Sequence, residues 1–236
     1  MAQQAKMAAM GEMIENIAHQ WRQPLSMVTA LVTTSLVERE LNLLSEEELR
    51  NKLYSIKDVA EHLSKTIDDF RSFFKPNKEK VEIDLSKTIE KALQLINPKL
   101  KDNSIEIYKD IESISFLGLE NELIQVIINL INNAKDILES KQLSRKFIFI
   151  DVKKQKNRVT ISIKDNGGGI KEDILNRIFE PYFTTKHKSQ GTGIGLYMSR
   201  VIMSKHMDGD INVENVEYVF ENEVKKGALF KIVFPI

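Results

Sequence analysis

KFIFIDVKKQKNRVTISIKDNGGGI, Lys146 to Ile170, reads as two strands turning near Lys156 and Asn157, the second ending at Asp165 before three glycines. Upstream, VEIDL, SIEIY and ISFLG read as short strands, and SKTIEKALQLI and ENELIQVIINLINNAKDIL as helices. Downstream come a glycine-rich stretch, the helix IGLYMSRVIMSKH, and the strands INVENV and ALFKIVFP. This order predicts helices packed on one face of a mixed sheet.

The N-terminal third has a different period. Met7, Met10, Ile14, Ile17 and Trp21 alternate spacings of three and four, the seam of a helix that packs on a partner helix. The chain is therefore expected to begin inside a helix that continues through Leu25, Val28, Val32 and Leu36. After a turn near Asn42 to Ser45, Ser45 and Glu48 make a capping box for a second helix. That helix carries its own stripe of Leu49, Leu53, Ile56, Leu63, Ile67, Phe70 and Phe74. A two-helix hairpin cannot cover such a stripe, so we expect a homodimer whose two copies form a four-helix bundle. KPNKEK is polar and broken by Pro76. The expected domains are residues 1–75, a linker 76–80, and 81–236.

The chain has 236 residues, 42% of them hydrophobic, enough for one large or two ordinary domains. Lys+Arg and Asp+Glu are equal at 34 each, which disfavours a general nucleic-acid binder. No cysteine, bilayer-length apolar run or signal-like start occurs, so the expected location is the cytoplasm, with an upstream sensor expected outside this chain.

Four stretches of the second domain carry unusual chemistry. In NLINNA, Asn129 and Asn133 share one face of an apolar helix; they suit a common polar ligand such as hydrated Mg²⁺, or simply an exposed helix end. In DNGGGI, Asp165 can accept a hydrogen bond from an amino group such as that of adenine, although the same residues make a plain turn. GTGIGL, Gly191 to Leu196, opens a helix whose N–H groups and dipole suit phosphate, and equally serves a tight turn. FEPYFTTKHKSQ, Phe179 to Gln190, has the anchor and the basic residues of a mobile lid, or of an ordinary surface loop.

In order and spacing these stretches resemble the N, G1, F and G2 boxes of the ATP-binding domain of sensor histidine kinases. The resemblance implies an α/β sandwich shared with gyrase, Hsp90 and MutL ATPases, with ATP and Mg²⁺ as ligands. It implies that Asp165 takes the adenine amino group, and that Gly167 and Gly169 shape its pocket. Gly191, Thr192, Gly193, Gly195 and Leu196 would form the lid hinge and phosphate cradle. Asn129 and Asn133 would hold Mg²⁺, and Phe179 and Phe183 would anchor the lid. Lys186 is added as a contact to the γ-phosphate. The ATPases of the superfamily carry a water-activating glutamate where Asn129 stands, and an amide cannot take a proton. Where such kinases often have lysine, this chain has Asp136, which leaves Lys135, Lys186 and Lys188 as candidate cations.

With hydrolysis disfavoured, another nucleophile must take the phosphoryl group, and imidazole suits neutral pH. On the heptad set by Ile14, Ile17 and Trp21, His19 points away from the partner helix. HQWRQP resembles the H box of the same kinases, with His19 as phosphoacceptor and Pro24 at the usual place, bending the helix. An acidic residue often follows the histidine in that family; Gln20 stands here, and Glu15, one turn earlier, could act electrostatically or as the base, or be a plain solvated carboxylate. Gln23 occupies the position from which water is directed in members that act as phosphatases. His62 and His206 read as structural, and His187 falls in the lid.

The leading expectation is therefore an autokinase that passes phosphate to an aspartate of a response-regulator receiver domain. A nucleotide-gated scaffold or phosphatase of the same fold without effective autokinase activity, and a gyrase-like ATPase, are the competing readings.

Overall fold

The computed structural model describes residues 22, 24–74, 80–186 and 193–236. They form two compact units, one built on the N-terminal hairpin and one on Pro76–Thr184 with Gly193–Ile236.

In the hairpin, α1 covers 24–40 and α2 spans Glu46–Phe74. Between them Asn42 takes a left-handed φ of 56°, which asparagine tolerates better than most residues. The capping box is formed: the Glu48 N–H donates to Ser45 Oγ (3.2 Å) and the Ser45 N–H donates to Glu48 Oε2 (2.9 Å). An ion pair between Lys52 and Glu38 joins the helices. Val28 and Leu31 of α1, with Leu49, Ile56 and Leu63 of α2, are half-buried and Val59 is buried, while Leu25, Val32, Leu36 and Leu53 stay exposed. The seam expected over residues 7–21 and the side chains of Ile67, Phe70 and Phe74 lie outside the described residues.

The second unit runs β1 (Val81–Asp84), α3 (Leu85–Asp102), β2 (Ile105–Ile111), β3 (Ser115–Gly118), α4 (Glu120–Ser140), β4 (Lys146–Gln155) and β5 (Arg158–Asp165). It continues through α5 (Glu172–Leu175), α6 (Gly195–His206), β6 (Asp210–Phe220) and β7 (Glu223–Pro235). β1 and β3 pair as a small antiparallel sheet. The main sheet has the order β2-β4-β5-β7-β6, parallel between β2 and β4 and antiparallel elsewhere. It is the expected mixed sheet. Ile148, Ile150, Val152, Ile161, Ile163 and Ile232 line the face that packs on the helices. Leu123, Ile127, Leu130 and Ile131 of α4 are buried with them.

Two elements are longer than the pattern suggests. α3 does not stop near Ile96 but continues through Pro98, because Leu100 is buried in the core and its burial offsets the hydrogen bond that proline forfeits. INVENV and ALFKIVFP are the inner halves of a ribbon paired from Asp210↔Val233 to Phe220↔Glu223. Its turn, Glu221 and Asn222, has φ of 51° and 64°, the left-handed pair that a two-residue hairpin needs. The charges around Tyr218 and Phe220 hid these strands. Among the described residues no helix is long and apolar enough to cross a membrane.

Candidate nucleotide site

α4 sets the axis of the site. Asn129 lies beside the start of α6: its Nδ2 donates to Ser199 Oγ (2.8 Å), and a Cβ on Gly195 would collide with its Oδ1. Asn133 follows one turn later and is half-buried. One turn further, Ile137 packs on Gly167, whose added Cβ would come within 2.5 Å of Ile137 Cγ2. At 1.5 Å per residue, Asn129 and Ile137 stand about 12 Å apart along the helix, so one helix edge joins the α6 end of the site to the glycine turn.

At the other end Asp165 is 4% exposed, the last residue of β5. Its Oδ1 accepts from the Gly167 N–H (2.7 Å) and the Ala228 N–H (3.3 Å). Both bonds fall on one oxygen, which leaves Oδ2 to meet a donor from outside. Burial pushes the carboxyl up to about 6, against the pull of those two N–H groups. Asn166 turns away and holds the start of β4, accepting from the Phe147 N–H (2.7 Å) and donating to the Arg145 carbonyl (3.0 Å).

α6 has no side-chain cap and no acidic residue in its first turn, so an anion meets its positive end without competition from a carboxylate. Gly193 takes φ 66° and presses on the Tyr182 backbone, where any Cβ would clash. Leu196 is half-buried. Phe179 and Phe183, the expected lid anchors, are half-buried under Arg200 (5.1 Å) and Arg177 (4.6 Å), beside the buried Ile178. Lys186 is half-buried. Gly191, Thr192, His187 and Lys188 lie outside the described residues, as do Glu15, His19, Gln20 and Gln23.

Residues 118–236 match the family described as histidine kinase-, DNA gyrase B- and HSP90-like ATPases. The chain belongs to this family. It is 30% identical to the two-component sensor PprA of Pseudomonas aeruginosa over 100% of this chain and 25% of that protein. It is also 30% identical to sporulation kinase A of Bacillus subtilis, over 100% of this chain and 36% of that one. The chain thus spans a quarter to little more than a third of these relatives. Its fold is similar to that of histidine kinase ThkA in a crystal structure with the response regulator protein TrrA, with TM-score 0.67 and 23% identity over 98% of this chain and 63% of that chain.

Three further residues pack against Asn129 and Asp165. Ser199, buried, accepts from Asn129 and donates to the Gly195 carbonyl (3.0 Å), fixing the asparagine against α6. Tyr218 Oη donates to the Asp165 carbonyl (3.0 Å), and burial, then the Asp165 charge, raises its phenol. At Gly227 a Cβ would overlap the Asp165 carbonyl oxygen. Gly227 falls just before ALFKIVFP, outside the strand that the apolar pattern marks. Lys135 pairs with Asp136 (2.7 Å) and Glu139 (3.0 Å), so that carboxylates already engage it. His206 sits against Glu122 (2.6 Å) at the end of α6, a structural place as expected.

Proposed function

We propose that the chain is the catalytic core of a protein histidine kinase: residues 81–236 bind ATP, 76–80 link, and 1–75 dimerise and carry the phosphoacceptor His19. The observation that carries this reading is Asp165, buried at one end of α4 with one oxygen committed to the protein and the other left for the amino group of adenine. Two turns earlier on the same helix, near its middle, Asn129 turns Oδ1 toward the uncapped α6 terminus, where phosphates belong.

Amide oxygens are hard donors that suit Mg²⁺, and the bond from Asn129 Nδ2 to Ser199 leaves its oxygen for that use; Asn129 and Asn133 would hold the ion. Bound there, Mg²⁺ would neutralise charge on the phosphates. Gly167 and Gly169 shape the base pocket, Gly191, Thr192, Gly193, Gly195 and Leu196 the phosphate cradle and lid hinge, Phe179 and Phe183 the lid anchor, and Lys186 a γ-phosphate contact.

A ring nitrogen of neutral His19 attacks the γ-phosphorus, the bond from that phosphorus to the bridging oxygen breaks, and ADP leaves with the electron pair. The proton on the other ring nitrogen passes to water or to Glu15, because Gln20 orients the ring but cannot accept a proton. The phosphoryl group then moves to an aspartate of a response-regulator receiver domain, and Gln23 positions water for hydrolysis of that phospho-aspartate to free phosphate. Asn129, in place of a carboxylate base, weighs against hydrolysis by water. Two hairpins form a four-helix bundle through Leu25, Val32, Leu36 and Leu53, and the core works in the cytoplasm.

Incubation with γ-labelled ATP and Mg²⁺ tests the reading. Acid-labile, base-stable label that disappears in His19→Ala is the expected result, and free phosphate without labelled protein would overturn it. The carboxylates on Lys135 favour a second reading, a nucleotide-gated scaffold, which predicts nucleotide binding with neither label nor free phosphate.

A further inference from the structure

Part of the sheet face opposite the helices is covered by the chain itself. Beyond Glu214 and Leu229, where pairing with β5 ends, the β6–β7 ribbon continues as an arm. Its Phe220 ring meets Tyr108 (4.9 Å), Phe147 (5.1 Å) and Phe149 (4.9 Å) on β2 and β4, at the other edge of the sheet from β6. Arg145 donates to both carboxylate oxygens of Glu106 (2.9 and 2.8 Å) and pairs with Glu221 at the arm's tip. Lys164 lies over the Phe149 and Tyr218 rings (4.7 and 4.0 Å).

Where it leaves the sheet, the arm passes behind the turn that follows Asp165. The Gly168 N–H donates to the Lys226 carbonyl (3.0 Å). The Asn215 amide brackets Ile170, accepting from its N–H (2.7 Å) and donating to its carbonyl (2.7 Å). Gly169, at φ 81°, leaves space for that amide, since a Cβ there would fall 2.6 Å from Asn215 Oδ1. With the Tyr218 and Ala228 bonds to Asp165, residues 215–228 hold the turn at both ends. Three successive glycines have little stiffness of their own, so the shape of this turn is imposed from outside.

We propose that the β6–β7 arm is the positioning frame of the nucleotide pocket, with Asn215 as a positioning residue: by fixing Ile170 it sets the shape of the glycine turn, and so where Asp165 meets the base. The inference rests on the reading of this pocket as an ATP site. Ordering a loose turn lowers apparent affinity by the fraction of chains already in the competent shape. Losing the clamp should therefore raise KM for ATP and blunt discrimination between bases, while turnover at saturating ATP changes little.

The test compares the full chain with Asn215→Ala by calorimetric titration with ADP and with GDP, by thermal unfolding without nucleotide, and by the ATP dependence of autophosphorylation. Expected are an ADP affinity weakened about tenfold, a smaller ADP-to-GDP preference, and a kcat within about twofold of the unsubstituted chain. Asn215→Asp, which keeps the acceptor for the Ile170 N–H, should recover part of the affinity, and it carries the test if Asn215→Ala fails to fold. ADP binding by Asn215→Ala equal to that of the unsubstituted chain overturns the inference. So does a loss of affinity that tracks thermal stability and leaves the ADP-to-GDP ratio unchanged. If the unsubstituted chain itself binds no ADP, the ATP-site reading falls and the inference with it.

Discussion

Leu25, Val32, Leu36 and Leu53 of the hairpin are 43% to 58% exposed, whereas Ile148, Ile150, Val152 and Ile161 of the α/β unit are 0% exposed. A fully buried aliphatic side chain contributes roughly 1.5–3 kcal/mol relative to an exposed one, so the two units differ in where their stability comes from. The α/β unit closes its core with its own helices. The hairpin forms its capping box and an inner seam, and leaves Leu25, Val32, Leu36 and Leu53 as an exposed apolar face. The unit proposed to pair with a second copy carries the proposed acceptor, and the unit with the closed core carries the proposed nucleotide site.

The sharpest break of that division is His19→Ala. Labelling from γ-labelled ATP should vanish, while the affinity for ADP stays within about twofold, since the substitution removes the acceptor and leaves the pocket untouched. A parallel loss of ADP binding would show that the units do not divide the work in this way.

Next comes the exposed face. The pair Leu36→Glu and Leu53→Glu, measured by sedimentation equilibrium, should weaken self-association about 100-fold or more, because two carboxylates would have to be buried without partners. The unfolding transition of the α/β unit should not move. Unaltered association would remove the apolar face as the reason for pairing.

Asp165→Asn sharpens the comparison from the other side. The folded carboxyl lies at about 6 against an ordinary 3.8, so the native state favours its protonated form. Its burial therefore costs nothing below the unfolded value, and the cost grows as pH rises through 3.8 to 6 and is complete above that window. Asp165→Asn should accordingly raise the stability of the nucleotide-free chain at pH 7, by about 1–3 kcal/mol, and weaken ADP binding roughly 10–100-fold. The unsubstituted chain should bind ADP more weakly below about pH 6, and the variant should lack that dependence. Calorimetry at several pH values checks both.

The smallest effect belongs to the turn of the hairpin. Ser45→Ala removes one half of the capping box and should cost about 1 kcal/mol of hairpin stability in chemical denaturation, with ADP affinity unchanged.

Elements with one clear period were legible in the sequence. The 3.6-residue stripe of ENELIQVIINLINNAKDIL gave α4, the Ser45–Glu48 pair gave the start of α2, and the glycines that follow Asn166 marked the end of β5. The arm was not legible: Glu217, Glu221, Glu223 and Lys225 interrupt the apolar pattern of a ribbon whose rings pack on the far side of the sheet. The site divides in the same way. Asp165, Asn129 and the glycines stand in recognisable local patterns, whereas Ser199, Asn215 and Tyr218 act through partners 70, 45 and 53 residues away.

By itself the sequence determined that a helical hairpin precedes a mixed α/β unit and that an aspartate would end a strand before a flexible turn, because period, caps and turn residues are properties of neighbours along the chain. Only the tertiary structure decided which oxygen of Asp165 is spoken for, that carboxylates engage Lys135, and that a ribbon from the last strands holds the glycine turn in place. Those outcomes depend on groups brought together by packing, and hydrogen-bond partners across a sheet leave no periodic trace in the residues between them.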